Sequence, residues 1–562
     1  MPKILDTIYY AAGNKLSLES LYVSLPDAKT QYPGNVIQFA LREADKIDTS
    51  EDHGGFTKEA WLEYKQVVYR KTCSLISPNI ETFEAKDCAT AIHHITKILT
   101  TTPDIKDVHV SSNIDLLLTR LVKKIANANC QDISTTLLSI AKCNESREIA
   151  KLNPRQVTQI NDLLAELHKQ RAKANCQGIS TTLLSIAKFN ESGEIAKLTP
   201  GQVTQINDLL AELHKRRAQA NCQDISITLW SIAKLNESGE IVKLKPGQVT
   251  QINDLLAELH KQRAKAKCHD ISSILWSIGK LNESGEIAKL KPRQITQIND
   301  LLAELHKQRA NAISLDISPT LWSIAKFIES GEIITLSPDQ ITQIIDLLAE
   351  LPKQRAHLTT HTVGNIIWAM GIINTIHPIK GIESNDSLNQ LVQLLLAKEK
   401  NTAEKQQIIT GLSLLGLDKA YKIDSFIDDC RPDNGSEDLI NSFIHKNKKI
   451  LFVNAVKFEQ EAFVCGYFVD LLVTYKDGTK KIFELDGGHH KTPQHIIIDT
   501  FRDEKVLKPN KYKVERMSIE SALTGNLSSS LFIANSHPAE QCELTAKSLN
   551  PLAREFVPFK SQ

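Results

Sequence analysis

One tripeptide returns along the chain at a fixed interval, and that interval constrains the fold more than any other feature. Asp132-Ile133-Ser134 is matched by Gly178-Ile179-Ser180, Asp224-Ile225-Ser226, Asp270-Ile271-Ser272 and Asp316-Ile317-Ser318, each 46 residues after the last. A decayed copy follows at Thr362-Val363-Gly364, and a weaker one precedes the set near Asp87-Cys88-Ala89. A fixed period in the forties marks stacked supersecondary units, because each unit has an apolar face that only its neighbours can cover.

Each unit reads as two helices. The first runs from about Ile225 to Leu235, with Ile225, Leu229, Ile232 and Ala233 at helical spacing and Asp224 or Ser226 as its N-cap. The second opens on Thr199-Pro200-Gly201-Gln202, which offers an N-cap, a proline at the first helical position and the glutamine of a capping box. Val203, Ile206, Leu209, Leu210 and Leu213 then form one stripe, and Lys215, Arg216 and Arg217 close the helix where cations suit its dipole. Asn236-Glu237-Ser238-Gly239 is the turn between helices, with glycine in the usual C-cap place. The expected result is a continuous right-handed α-solenoid of two-helix repeats.

Outside the array the pattern changes. Residues 1–80 lack the repeat but hold helices such as Lys58 to Tyr69, and read as an N-terminal helical cap. The array fills 81–382, a helical connector 383–445, and a small α/β domain 446–522, with 523–562 as a flexible tail. In the α/β domain Ile450–Val456, Tyr467–Tyr475, Lys481–Leu485 and Tyr512–Met517 are strand-like, and Ile496–Leu507 is helical.

Composition excludes several classes. Lys+Arg 67 against Asp+Glu 66 in 562 residues gives a net charge of +1, so any nucleic-acid surface must come from local segregation of charge. No apolar run reaches the roughly 18 residues of a membrane span, so no membrane partner is expected. Met1 to Asp6 lacks a Sec-type apolar core. Ten cysteines without a CxxC pair, four of them at one repeat position, fit packing in a reducing, intracellular compartment.

The repeat turns single residues into columns. Trp230, Trp276, Trp322 and Trp368 share a slot with Leu138 and Leu184, which favours inter-repeat packing over base stacking. Lys142, Lys188, Lys234, Lys280 and Lys326 form a cationic ladder suited to a polyanion, provided that Glu237, Asp208 and their equivalents lie on other faces. Arg171, Arg217, Arg263, Arg309 and Arg355 form a second column that reads as a solvated, dipole-favouring face. His168, His214, His260 and His306 recur through repeat copying, without a partner at metal-ligand spacing inside one repeat.

The C-terminal region concentrates acids. Asp470, Glu484 and Asp486 sit on two strands joined at Asp477-Gly478 and would hold Mg²⁺ if they converge. They would equally pair with Arg502 and Lys505. A two-residue turn at Asp477-Gly478 would set Asp470 opposite Leu485, facing away from the other acids. A three-residue loop, Lys476-Asp477-Gly478, pairs Tyr475 with Thr479 and sets Asp470 opposite Glu484, roughly 5 Å away. The apolar pattern favours the second register, with Val469, Leu471, Val473, Phe483 and Leu485 together on the buried face.

Asp470, Glu484-Leu485-Asp486-Gly487 with His489 and His490, Arg502 to Leu507, and Tyr512-Lys513-Val514 together resemble the RAP domain over about residues 450–520. That module is found in apicomplexan and organellar RNA-associated proteins and is similar in outline to restriction-endonuclease-like folds. Thr228 to Leu235 resembles the leading helix of octotricopeptide, heptatricopeptide and FAST-kinase-like repeats, which precede RAP domains in RNA-binding proteins. The resemblance implies an α-solenoid joined to a small α/β restriction-endonuclease-like domain. It implies RNA contacts at His489, His490, Arg502 and Lys505 beside the lysine column, with single-stranded RNA as the partner. Two differences bear on this: the repeat is longer than the octotricopeptide unit, and Asp486 stands where such nucleases carry a lysine. Positions Thr135, Thr181, Ile227, Ser273 and Pro319 vary little, so no modular base code is expected.

Three functions follow as expectations. The first is an RNA-binding protein without a cofactor, acting in RNA processing or stability. The second is an Mg²⁺-dependent nuclease with Asp470, Glu484 and Asp486 as metal ligands. The third is a protein-interaction scaffold, and the near-identical copies are also similar to repeat proteins of intracellular bacteria that act on a host.

Overall fold

The computed structural model describes residues 33–45 and 57–522, apart from short stretches at 103–104, 106–109, 146–150, 195–196, 242, 288–289, 334, 398–401, 432–436, 450, 487–492 and 520–521. The flexible tail expected at 523–562 lies outside the described residues. The chain divides into two compact units, residues 1–259 and 260–562.

The repeats are two-helix units, as the period requires. In the first unit the leading helices Ala85–Thr101, Cys130–Glu145, Cys176–Glu191 and Cys222–Glu237 pack one against the next. Helix Pro33–Asp45 covers the outer side of the first of them. In the second unit Cys268–Glu283, Ser314–Glu329, Thr360–Ile376 and Thr402–Leu414 stack in the same way, so the stacking runs on into the expected connector. Among the described residues no helix is long and apolar enough to cross a membrane.

Local signals act largely where the sequence puts them. Helix Pro200–Lys215 is capped by Thr199, with Gln202 closing the capping box. The leading helix starts earlier than expected, at Cys222, because Asn221 rather than Asp224 or Ser226 is the N-cap. Asp224 is instead the third residue of the helix, and its carboxylate returns to the Asn221 N–H at 3.2 Å. Between helices, Gly239 takes a left-handed φ of +77° and ends the helix. Trailing helices then run into 3-10 turns, among them Ile125–Asn127, Arg171–Lys173, Arg217–Gln219, Arg263–Lys265 and Arg309–Asn311. Cys130, Cys176, Cys222 and Cys268 are buried at the starts of the leading helices.

Helices Thr360–Ile376 and Thr402–Leu414 approach until their backbones touch. A Cβ on Gly411 would lie 2.6 Å from the Ile367 carbonyl oxygen, so only glycine admits this contact.

The C-terminal module is a four-stranded mixed sheet in the order β1 (Ala455–Val464), β2 (Tyr467–Tyr475), β3 (Lys480–Asp486), β4 (Lys513–Ser518). The first three strands are antiparallel neighbours, and β4 runs parallel to β3. β1 begins where the expected Ile450–Val456 strand ends. It is an edge strand whose Lys457–Glu461 stretch lacks a simple apolar alternation. Leu471, Val473, Phe483, Leu485 and Met517 pack on Ile440, Phe443 and Phe452. Ile440 and Phe443 belong to helix Glu437–Asn447, so the module's core reaches back before residue 446. Val469 does not join this face. It packs with Val464, Leu472, Ile482 and Leu507, so the sheet is buried on both sides.

The module is seated on the leading helices of its own unit. Helix Pro493–Phe501 packs against Cys268–Glu283 and Ser314–Glu329, and the π-helical turn Arg502–Leu507 packs against Thr360–Ile376. At the β1–β2 hairpin, Thr410 Oγ1 donates to the Gly466 carbonyl at 2.7 Å.

Candidate nucleic-acid interface

The lysine column is built by the leading helices, but it is not a bare stripe. Lys188 pairs with Glu145 of the preceding repeat. Lys234 lies 3.3 Å from Glu191 of the preceding repeat and 3.1 Å from Glu237 of its own. Lys280 meets Glu283 at 3.2 Å, and Lys326 meets Glu283 at 2.9 Å and Glu329 at 2.8 Å. The expectation that Glu237 lies on another face is therefore corrected. Lys234 and Glu237 are one helical turn apart, and the same spacing recurs in each copy. Lys142 is exposed and has no carboxylate partner among the described residues.

The tryptophans complete this ladder and are half-buried rather than fully enclosed. Lys280 Nζ lies 4.7 Å from the Trp322 ring centre and 5.9 Å from that of Trp276. Lys326 Nζ lies 4.9 Å from Trp368 and 5.6 Å from Trp322. Each ammonium is thus held between its own ring and the next repeat's ring. At Glu283, burial alone would raise the carboxyl, but Lys326 and Lys280 outweigh it and hold it at about 2. Burial would likewise lower the Lys326 ammonium, yet Glu283 and Glu329 keep it above the ordinary lysine value.

The other two columns share a second face. His168 Nε2 lies 2.8 Å from Asp208 of the next repeat; His214–Asp254, His260–Asp300 and His306–Asp346 repeat the contact at 2.7–2.8 Å. The partner of each histidine is thus one repeat away and cannot be seen within any single repeat. Arg171, Arg217, Arg263 and Arg309 each donate to the carbonyl of the histidine three residues earlier, satisfying the open end of the trailing helix.

In the module, the hairpin takes the three-residue form. The Tyr475 N–H donates to Thr479 O at 2.9 Å, Gly478 is left-handed at φ +81°, and Leu471 pairs with Phe483. One step further this register sets Asp470 across from Glu484. There the Asp470 carboxylate accepts the Leu485 N–H at 2.6 Å.

The acids meet arginines. Arg516 on β4 reaches Asp486 at 2.8 Å, Asp503 at 2.7 Å and Asp499 at 3.0 Å. Arg502 is buried, 3.1 Å from Glu484 and 3.2 Å from Asp503, so it is an internal counter-ion. Its Nη2 and Glu484 Oε1 are close but out of line, and neither makes a hydrogen bond. Burial pushes the Glu484 carboxyl up to about 8; Arg502 opposes that and Asp470 adds to it. Among the described residues no three metal-ligating side chains converge, so no step through Mg²⁺ is derived. Lys505 is exposed, and His489 and His490 lie outside the described residues. Arg516, Asp499 and Asp503 were missed in the sequence. The available signal was Asp499, Arg502 and Asp503 at helical spacing, which brings them onto one face.

No protein-family model matches the sequence, and no relative is found among curated proteins.

Proposed function

We propose that the protein binds single-stranded RNA, with the leading-helix face of the repeats contacting bases. The observation that carries this reading is a hydrogen-bonding face that the packing does not consume. Gln131 is exposed and donates to Thr135 at 3.0 Å, and Gln177 is exposed at the same repeat position with Thr181 one turn on. Half-buried Leu138 and Leu184 follow along the same two helices, and half-buried Trp230 takes the equivalent place on the next leading helix, Cys222–Glu237. Amide and hydroxyl groups beside partly exposed apolar side chains offer hydrogen bonds and contact surface to unstacked bases. The pairing of Asp470, Glu484 and Asp486 with backbone and arginine supports a binding role for the module over metal-dependent cleavage.

The test is fluorescence anisotropy of a labelled oligouridylate with the full chain at low salt. Gln131→Ala with Gln177→Ala should weaken binding by about 0.5–1.5 kcal/mol for each hydrogen bond to RNA that is removed. Absence of any RNA affinity at low salt rejects the reading.

A further inference from the structure

If the lysine ladder is neutralised by its own glutamates, an RNA backbone must be held elsewhere. This inference rests on the RNA reading. The 3-10 turns between trailing and leading helices are the alternative. Residues 168–175, 214–221, 260–267 and 306–313 contain no aspartate or glutamate of their own, although Lys169, Lys215 with Arg216, and Lys307 pair with Glu166, Glu212 and Glu304 of the preceding helical turn. Lys173, Lys265 and Lys267 in these stretches are exposed, as is Lys123 at the end of helix Val110–Lys123 just before the equivalent turn Ile125–Asn127, and none has a carboxylate at ion-pair distance among the described residues.

Consecutive turns are physically joined within each unit. In the first unit Gln170 donates to the Ala128 carbonyl at 3.2 Å and Arg216 to the Ala174 carbonyl at 2.6 Å. In the second, Gln308 donates to Ala266 O at 3.0 Å and Gln354 to Ala312 O at 2.7 Å. The basic turns therefore form one edge in each unit, with neighbours spaced like packed helices at roughly 8–10 Å.

We infer that this edge of basic turns, and not the lysine column, tracks the sugar-phosphate backbone of single-stranded RNA. Exposed lysines without a carboxylate partner recur along this edge in both units, and repeated positive charge of that kind suits a charged polymer. Besides one histidine each, most of these stretches otherwise hold alanine, asparagine and glutamine, without the tryptophan and tyrosine anchors on which protein interfaces depend. Each turn leads directly into a leading helix, so Lys173 lies four residues before Gln177, and phosphate contacts sit beside base contacts.

The experiment compares three variants of the full chain by titrating oligouridylate affinity against salt. Lys123, Lys173, Lys265 and Lys267 changed together to Gln should make the log–log slope shallower by about 0.7 for each phosphate no longer neutralised. Lys188→Met in the ladder should leave the slope unchanged. A slope that moves with Lys188 and not with the turn lysines overturns the inference while RNA binding stands. So does a slope that moves only with Lys448→Gln and Lys449→Gln, the exposed pair that follows helix Glu437–Asn447 in the module. Wild-type binding with no salt dependence also overturns it. A chain with no RNA affinity fails the functional reading itself, and the variants' unchanged unfolding temperatures separate either result from misfolding.

Discussion

Replacing Lys326 by methionine isolates what the ladder contributes to the fold. Methionine keeps an unbranched stem that can remain between Trp322 and Trp368, while the ammonium that pairs with Glu283 and Glu329 is removed. Glu283 keeps Lys280, but the Glu329 side chain is only 5% exposed and is left without its lysine. Removing one partner from a buried pair costs about 3–5 kcal/mol, because the other charge stays buried. The matched change at Lys188 should cost less than about 1 kcal/mol, since its partner Glu145 is 47% exposed and water can take over. Scanning calorimetry of the full chain is the assay, with urea unfolding as a second readout. Lys326→Met should lower the unfolding temperature by several degrees and Lys188→Met by little.

A pH series adds a sign. The folded Glu283 carboxyl is held at about 2 against 4.5 unfolded, so its stabilisation is present above pH 4.5 and is lost as pH falls toward 2. Lys326→Met should flatten that acid limb. Equal losses for the two variants, or an unchanged acid limb, would refute the graded ladder.

Glu484 behaves oppositely, because its folded carboxyl is raised from 4.5 to about 8. The fold retains a proton that the unfolded chain releases, so stability should fall as pH rises through that window, by at most about 5 kcal/mol at ~1.4 kcal/mol per pH unit. Glu484→Gln should therefore gain on the wild type between pH 5 and pH 8 in thermal unfolding; a variant less stable than wild type at pH 8 would mean that the Arg502 contact dominates. Gly411→Ala should destabilise the second unit by about 1–3 kcal/mol despite alanine's better helix propensity, since the new methyl meets the Ile367 carbonyl. A gain in chemical stability for that variant would show that the two helices can separate freely.

What the sequence determined by itself was mostly local. The 46-residue period set the two-helix unit, Thr199-Pro200 and Gln202 set one helix start, and Gly239 set a helix end. Even the β2–β3 register was readable, because Asp477-Gly478 and the apolar alternation act within a dozen residues. The stacking of helices decided the rest. A lysine and a glutamate 43 residues apart, as at Lys188 and Glu145, meet only when two repeats are in contact. The apparent cationic stripe is therefore neutral along most of its length. His168 likewise finds Asp208 only across a repeat boundary. In the module, Arg516 reaches Asp486, Asp499 and Asp503 because β4 lies parallel to β3 after a helical crossover. A sequence gives the sign of each charge and its place on a helix or strand. The partner of that charge depends on distances between elements, and those are fixed by which apolar faces the elements bury against one another.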